Sequence, residues 1–156
     1  MYISGIDNRG GLIAKSRSDV NILATVNVDT RQVLLVSTPR DYYVPLPISN
    51  GQCDKLTHAG IYGVDVSIGT LEMLYGIDID YYFRVNFSGF EKIIDALGGV
   101  TVNSDYDFSA GGYYFQKGEN HVNGSQALAF ARERKSFKEG DRQRGRNQMA
   151  VIKAVI

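Results

Sequence analysis

Two β-branched and aliphatic runs, Val20–Val28 and Gln32–Ser37, dominate the early chain, separated by the turn-forming triplet Asp29-Thr30-Arg31. This pattern predicts an antiparallel hairpin. The apolar content is nearly continuous rather than alternating, which predicts a central place in a sheet covered on both faces. Tyr2–Ile6 reads as another strand, and Pro39 ends the hairpin's second strand. From Asp65 to Tyr75, Ile68, Leu71 and Tyr75 recur at helical spacing, with Gly76 placed as a C-terminal cap before a strand over Ile79–Asn86. Ser88-Gly89-Phe90-Glu91 fits a capping box, and Phe90, Ile93, Ile94 and Leu97 line one face of the helix it would open. Gly98-Gly99 should stop that helix before a strand at Val100-Thr101-Val102. The alternation of strand and helix predicts an α/β fold.

Residues 103–124 carry Tyr106, Phe108, Tyr113, Tyr114 and Phe115 around Gly111-Gly112. That length is unusual for a structureless loop, so the segment is either a flap over a site or an aromatic-pinned hairpin. A helix is still running from Gln148 to Ile156, and Tyr2–Ile6 is a strand already under way, the pattern expected of a portion cut from a longer protein. With 156 residues, 44% hydrophobic and 22% charged, the chain suits one globular domain spanning 1–156.

Charge narrows the function. Seventeen Lys plus Arg balance seventeen Asp plus Glu, so no global field draws the protein to nucleic acid or an anionic membrane. Any anion affinity must be local. Cys53 is the one cysteine, which excludes an intrachain disulfide and leaves the compartment open. No stretch reaches the roughly 20 apolar residues of a membrane helix, and the polypeptide as given is expected to be soluble. His58 and His121 lack partners at metal-ligand spacing, and no nucleophile elbow, P-loop or dinucleotide fingerprint is present.

What remains is a set of arginines and aspartates at element ends. Asp7 leaves the first strand in Gly5-Ile6-Asp7-Asn8-Arg9, and Arg17-Ser18-Asp19 opens the next. Carboxylates so placed either cap turns or share a hard cation, beside which arginine can fork a phosphate. Arg40-Asp41 follows Ser37-Thr38-Pro39, where either a surface salt bridge or a ligand contact is reasonable. Lys55 is more ambiguous still, since exposed lysines are commonplace. Arg132 and Arg134 share a face if that stretch is extended and diverge if it is helical. Helical spacing sets Asp141, Arg144 and Gln148 on one stripe that Ile152, Val155 and Ile156 continue, predicting a buried face that changes from polar to apolar. Arg142 and Arg146 lie off it and read as part of a solvated first turn with charged pairs. Arginines with a few aspartates suit phosphoryl transfer, where charge stabilisation dominates.

The ordered series Gly5-Ile6-Asp7, Arg17-Ser18-Asp19, Ser37-Thr38-Pro39-Arg40-Asp41, Lys55-Leu56, Asp95-Ala96-Leu97-Gly98-Gly99-Val100, Ala131-Arg132-Glu133-Arg134 and Gly140 through Gln148 resembles the LytR-CpsA-Psr family along nearly the whole chain. The resemblance implies a central mixed β-sheet flanked by helices on both faces. It also implies a membrane-anchored protein at the extracytoplasmic face of the bacterial membrane. Its activity would be magnesium-dependent transfer of a teichoic acid, capsular or other glycopolymer from polyprenyl diphosphate to peptidoglycan. By matching position, Asp7 and Asp19 would hold Mg2+, and Arg17, Arg40, Arg132, Arg134, Arg144 and Gln148 would clamp the diphosphate. Lys55 and Asp141 match less settled positions, and Asp141 or a magnesium-associated aspartate would be the general base. Two departures stand out: many relatives have arginine at the position of Asn147, and they continue beyond Ile156, so the lipid groove is expected to be incomplete here. Apolar helix residues such as Phe90, Ile94 and Leu97 would belong to that groove or simply to the core. The alternative within the resemblance is a non-catalytic module that binds polyprenyl diphosphate or regulates the envelope, in keeping with the family's transcriptional-attenuator label. Direct nucleic-acid binding is disfavoured by the neutral charge and the absence of a recognisable helix-turn-helix.

Overall fold

The computed structural model describes residues 1–7 and 15–156. The loop expected to begin at Asn8-Arg9 lies outside the described residues. The chain divides into two compact units, Met1–Phe87 and Ser88–Ile156.

The first unit is built on a four-stranded mixed sheet. It contains β1 (Tyr2–Ile6), β2 (Val20–Asn27), β3 (Gln32–Ser37) and β6 (Tyr82–Asn86), in the order β3-β2-β1-β6. β1 runs antiparallel to β2 and parallel to β6, with Gly5 opposite Val20 and Ile6 opposite Asn86. The short strands β4 (Tyr43–Pro45) and β5 (Cys53–Lys55) pair as a ribbon leading into α1 (Leu56–Tyr62) and α2 (Val64–Tyr75). Tyr2, Leu23, Val44, Leu46, Leu56, Ala59 and Leu71 form its core. As expected, Gly76 caps α2 in the left-handed conformation, its N–H donating to the Glu72 carbonyl.

The hairpin forms over the predicted residues, but its place in the sheet differs from the expectation. β3 is an edge strand, and Val26, Val28 and Leu34 toward the turn are more than half exposed. Only the first half of β2, where consecutive Ile22, Leu23 and Ala24 are all buried, is covered on both faces. β6 starts at Tyr82 instead of Ile79, because the Ile79 N–H is taken by the Glu72 carboxylate and not by a neighbouring strand.

The second unit holds all but the first residue of α3 (Phe87–Ala96), which begins one residue before Ser88 and so leaves that serine in the first turn instead of at the cap. Of its apolar residues Ile94 is buried, whereas Ile93 and Leu97 are exposed. Gly98 and Gly99, both at positive φ, end it ahead of β7 (Val100–Ser104), which pairs with β10 (Gly118–Val122). Between them β8 (Phe108–Ala110) and β9 (Tyr113–Phe115) form a hairpin turned by Gly111-Gly112 at φ 58° and 84°. The aromatic segment is therefore a hairpin. Phe108 and Phe115 stack at 4.9 Å and meet Phe130 in the core, so the rings point inward.

α4 (Gly124–Arg132) opens with a complete capping box between Asn123 and Gln126, and the Asp95 carboxylate accepts from the Gly124 N–H at 2.7 Å. Here Gly124 admits a close approach, since a Cβ would lie 2.3 Å from the Glu91 carbonyl oxygen. The last helix, α5 (Asp141–Val155), buries Gln143, Asn147 and Val151. That corrects the predicted stripe. Arg144, Gln148 and Ile152 are only partly buried, and Asp141, Val155 and Ile156 are exposed. The inward face is displaced because a polar network, not an apolar stripe, seats the first half of the helix.

Candidate functional site

Strand polarity gathers the first unit's candidates at one end of its sheet. β1 and β3 finish there and β2 begins there, so Asp7, the Arg17–Asp19 segment and Arg40 all leave from the same edge. The short helix α1 ties two of these segments in place. Its first free amides are satisfied from the Arg40 corner: Leu56 N–H donates to the Tyr42 carbonyl and Thr57 N–H to the Arg40 carbonyl, both at 2.8 Å. In the other direction, Ser16 N–H donates to the Gly60 carbonyl and Ser18 N–H to the Thr57 carbonyl, at 3.1 and 3.3 Å. Gly60 permits this approach, because a Cβ there would sit 2.3 Å from the Ser16 carbonyl oxygen.

Side chains complete the frame. The buried Tyr2 hydroxyl donates to Asn21 Oδ1 at 2.7 Å and shares a 3.0 Å hydrogen bond with Ser18. Burial pushes its pKa up to about 12. Arg40 donates from a terminal nitrogen to Asp19 Oδ1 at 2.6 Å, and its Nε lies 3.6 Å from Asp41 Oδ2. Lys55 Nζ donates to Asp41 Oδ1 at 2.8 Å. Of the two readings of Arg40-Asp41, the ion pair is present, as the middle of the series Asp19, Arg40, Asp41, Lys55. The hydrogen bond and charge of Lys55, with the charge of Arg40, hold the Asp41 carboxyl below its ordinary range. Asp54 is held down as well, by the Lys55 N–H and by His58. Arg17 is exposed, as is Asp7.

Asp7 and Asp19 are hard oxygen donors at one sheet edge, and Mg2+ commonly takes one or two carboxylates and completes its shell with water and phosphate oxygens. Asp19 meets Arg40 through Oδ1, and a carboxylate has lone pairs enough for a second partner. In donor chemistry alone, the two carboxylates are of the kind such an ion takes. Among the described residues no group of three His, Cys, Asp or Glu is arranged as a metal site.

In the second unit, α4 holds helical geometry through Arg132, and Glu133 is extended. Arg134 follows in a loop, 3.8 Å from Asp141 Oδ1, while Arg144 donates to Asp141 Oδ2 at 3.2 Å. Asp141 thus stands between two of the predicted clamp arginines. Gln148 turns its amide to the Ala131 carbonyl at 3.4 Å, and Asn147 donates to the Phe130 carbonyl at 3.1 Å. Both bonds satisfy the carbonyl end of α4 just before Arg132. Gln143 extends this network to Asn147 and Asp105, at 3.0 and 2.9 Å. Phe137 packs edge-on against Phe108 at 4.8 Å, pinning the loop between Arg134 and Asp141 to the aromatic core. Arg146, read as part of a solvated turn with charged pairs, is half exposed and pairs with Glu139, and it also donates to Gln143 Oε1.

Gly60, Phe137 and Asn147 have tasks here that do not follow from sequence pattern alone. The first two carry no periodic or charge signal. Asn147 was visible as a polar residue four from Gln143 and four from Val151, the spacing of a single helical face.

The family model of LytR-CpsA-Psr proteins matches residues 1–156, and the chain belongs to that family. Among curated relatives, it is 44% identical to the polyisoprenyl-teichoic acid–peptidoglycan teichoic acid transferase TagU of Bacillus mycoides, across all of this chain and 51% of that protein. The chain thus spans about half the length of the curated relatives it matches. Of solved structures, B. subtilis TagU aligns with a TM-score of 0.79 at 38% identity, over 99% of this chain and 63% of that one. The LytR-CPS2A-psr family protein YwtF (TagT) with bound octaprenyl pyrophosphate lipid aligns with a TM-score of 0.78 at 32% identity, over 99% and 61%. The α/β architecture with a mixed central sheet agrees with these neighbours.

Proposed function

We propose that this chain is a catalytic portion of a magnesium-dependent phosphotransferase that moves a glycopolymer, wall teichoic acid being the best-supported case, from polyprenyl diphosphate to peptidoglycan. The observation that carries the reading is the family match along all of residues 1–156, combined with arginines held at element ends by aspartates. The transferase relatives and the neighbour carrying a prenyl pyrophosphate support the substrate class. A membrane anchor, work at the extracytoplasmic face and capsular or other polymers as further substrates belong to the same reading. No helix among the described residues is long and apolar enough to cross a membrane.

In the proposed reaction an acceptor sugar hydroxyl of peptidoglycan attacks the phosphorus bonded to the glycopolymer. A new P–O bond forms, the P–O–P bridge breaks, and polyprenyl phosphate leaves. Asp7 and Asp19 would hold Mg2+, which when bound polarises phosphate oxygens and takes up leaving charge. Arg17 and Arg40 would fork the oxygens beside it, with Lys55 as a further cation. Arg132, Arg134, Arg144 and Gln148 would supply the remaining diphosphate contacts. The attacking hydroxyl loses its proton to Asp141 or to an aspartate beside the ion.

Release of polyprenyl phosphate from a polyprenyl-diphosphate-linked sugar tests this. It should require magnesium and vanish in Asp19→Ala. Unchanged turnover in that variant would remove the metal role assigned to Asp19.

A further inference from the structure

Asp41 has no part in the reaction as written, yet it meets two cations at the sheet edge. One oxygen accepts from Lys55 Nζ at 2.8 Å and the other faces Arg40 Nε at 3.6 Å. Arg40 is meanwhile bonded to Asp19. Four alternating charges thus sum to zero, although both cations are ones a phosphate would use. Asp41 and Lys55 side chains are each about half exposed, at 50% and 51%, so a ligand from solvent can reach the pair. The backbone beneath is fixed, because the Arg40 and Tyr42 carbonyls are bonded to the start of α1. The carboxylate can therefore lose its partners without the corner unfolding.

The geometry points to Asp41 as a built-in counter-anion: it gathers Lys55 and Arg40 at the sheet edge while no phosphate is present, and yields them to an incoming diphosphate. This rests on the diphosphate reading above and deepens it, by making Asp41 a positioning residue that sets how tightly that ligand binds. The depressed pKa of Asp41 agrees, since it reports a carboxylate held ionised by these cations. A diphosphate carries more charge than one carboxylate and so displaces it. Removing the carboxylate also removes a negative charge within a few ångströms of the ligand. Asp41→Asn should accordingly bind inorganic pyrophosphate about three- to tenfold more tightly at low ionic strength, a gain that fades with added salt.

The test is calorimetric titration of inorganic pyrophosphate into the wild type, Asp41→Asn, Lys55→Gln and the double variant. Asp41→Asn should tighten binding and Lys55→Gln weaken it. In the Lys55→Gln background the Asp41→Asn gain should fall by at least half, a coupling that a purely structural aspartate would not produce. If the wild type binds and Asp41→Asn binds equally or more weakly, the inference is overturned and the diphosphate reading stands. A gain undiminished in the double variant also overturns it, because Asp41 would then act without Lys55. Absence of pyrophosphate binding in all four proteins would overturn the diphosphate reading, and this inference with it.

Discussion

Replacing Gly60 by alanine probes the link between fold and site, because one added carbon must separate α1 from the segment that carries Arg17 and Asp19. The new Cβ would lie 2.3 Å from the Ser16 carbonyl oxygen and 3.2 Å from the Ser18 nitrogen, whereas ordinary contact begins near 3.4 Å. The obstacle is backbone, so residues 16–18 or α1 must move by roughly an ångström, and overpacking of this kind costs about 1–3 kcal/mol. Ser16 N–H to Gly60 and Ser18 N–H to Thr57 lengthen together, and each such bond is worth about 0.5–1.5 kcal/mol net. Against this, alanine improves the helix by roughly 1 kcal/mol. The balance is a loss of about 1–5 kcal/mol, the upper end applying if both bonds break. Urea unfolding followed by circular dichroism measures it, and the same samples report pyrophosphate affinity. Stability equal to or above the wild type would refute the reasoning, because it would mean that the packing penalty never arises and only the helix gain remains.

Three further outcomes follow. Tyr2 has its folded pKa raised by burial, so its contribution is complete below pH 10 and is lost as pH climbs toward 12. With a shift of about 2 units that contribution is roughly 3 kcal/mol, and Tyr2→Phe should flatten the alkaline limb of a pH-stability curve. Asn147→Ala leaves the Phe130 carbonyl and the Gln143 amide short of a partner, and should lower stability by about 2–3 kcal/mol in denaturant unfolding. Phe115→Ala removes a ring that is 1% exposed between Phe108 and Phe130, and should cost about 3–5 kcal/mol in the same measurement.

Elements with a strong local signal were legible in the sequence. The hairpin strands, α2 with its Gly76 cap and the Gly98-Gly99 stop all follow from periodicity and glycine placement. The position of β3 did not, because an apolar run reads alike at the centre of a sheet and at an edge. The buried face of α5 was misread for a related reason: Gln143 and Asn147 look solvent-facing by residue type, and only their bonds to Asp105 and the Phe130 carbonyl explain their burial. At the candidate site, Asp19 and Arg40 could be named from their place at element ends, whereas Lys55 entered only through the family resemblance. That Asp41 joins Arg40 to Lys55 depends on the pairing of β4 with β5, which sets Tyr43 opposite Lys55 and brings residues fourteen apart in sequence to 2.8 Å.

The chain, magnesium, a lipid-linked wall teichoic acid precursor and uncrosslinked peptidoglycan should yield a glycopolymer joined to peptidoglycan through a phosphodiester, detected by mass spectrometry after muramidase digestion. Arg40→Ala should remove that product. A protein that binds the precursor yet forms no phosphodiester, or forms it equally well in Arg40→Ala, would contradict the account.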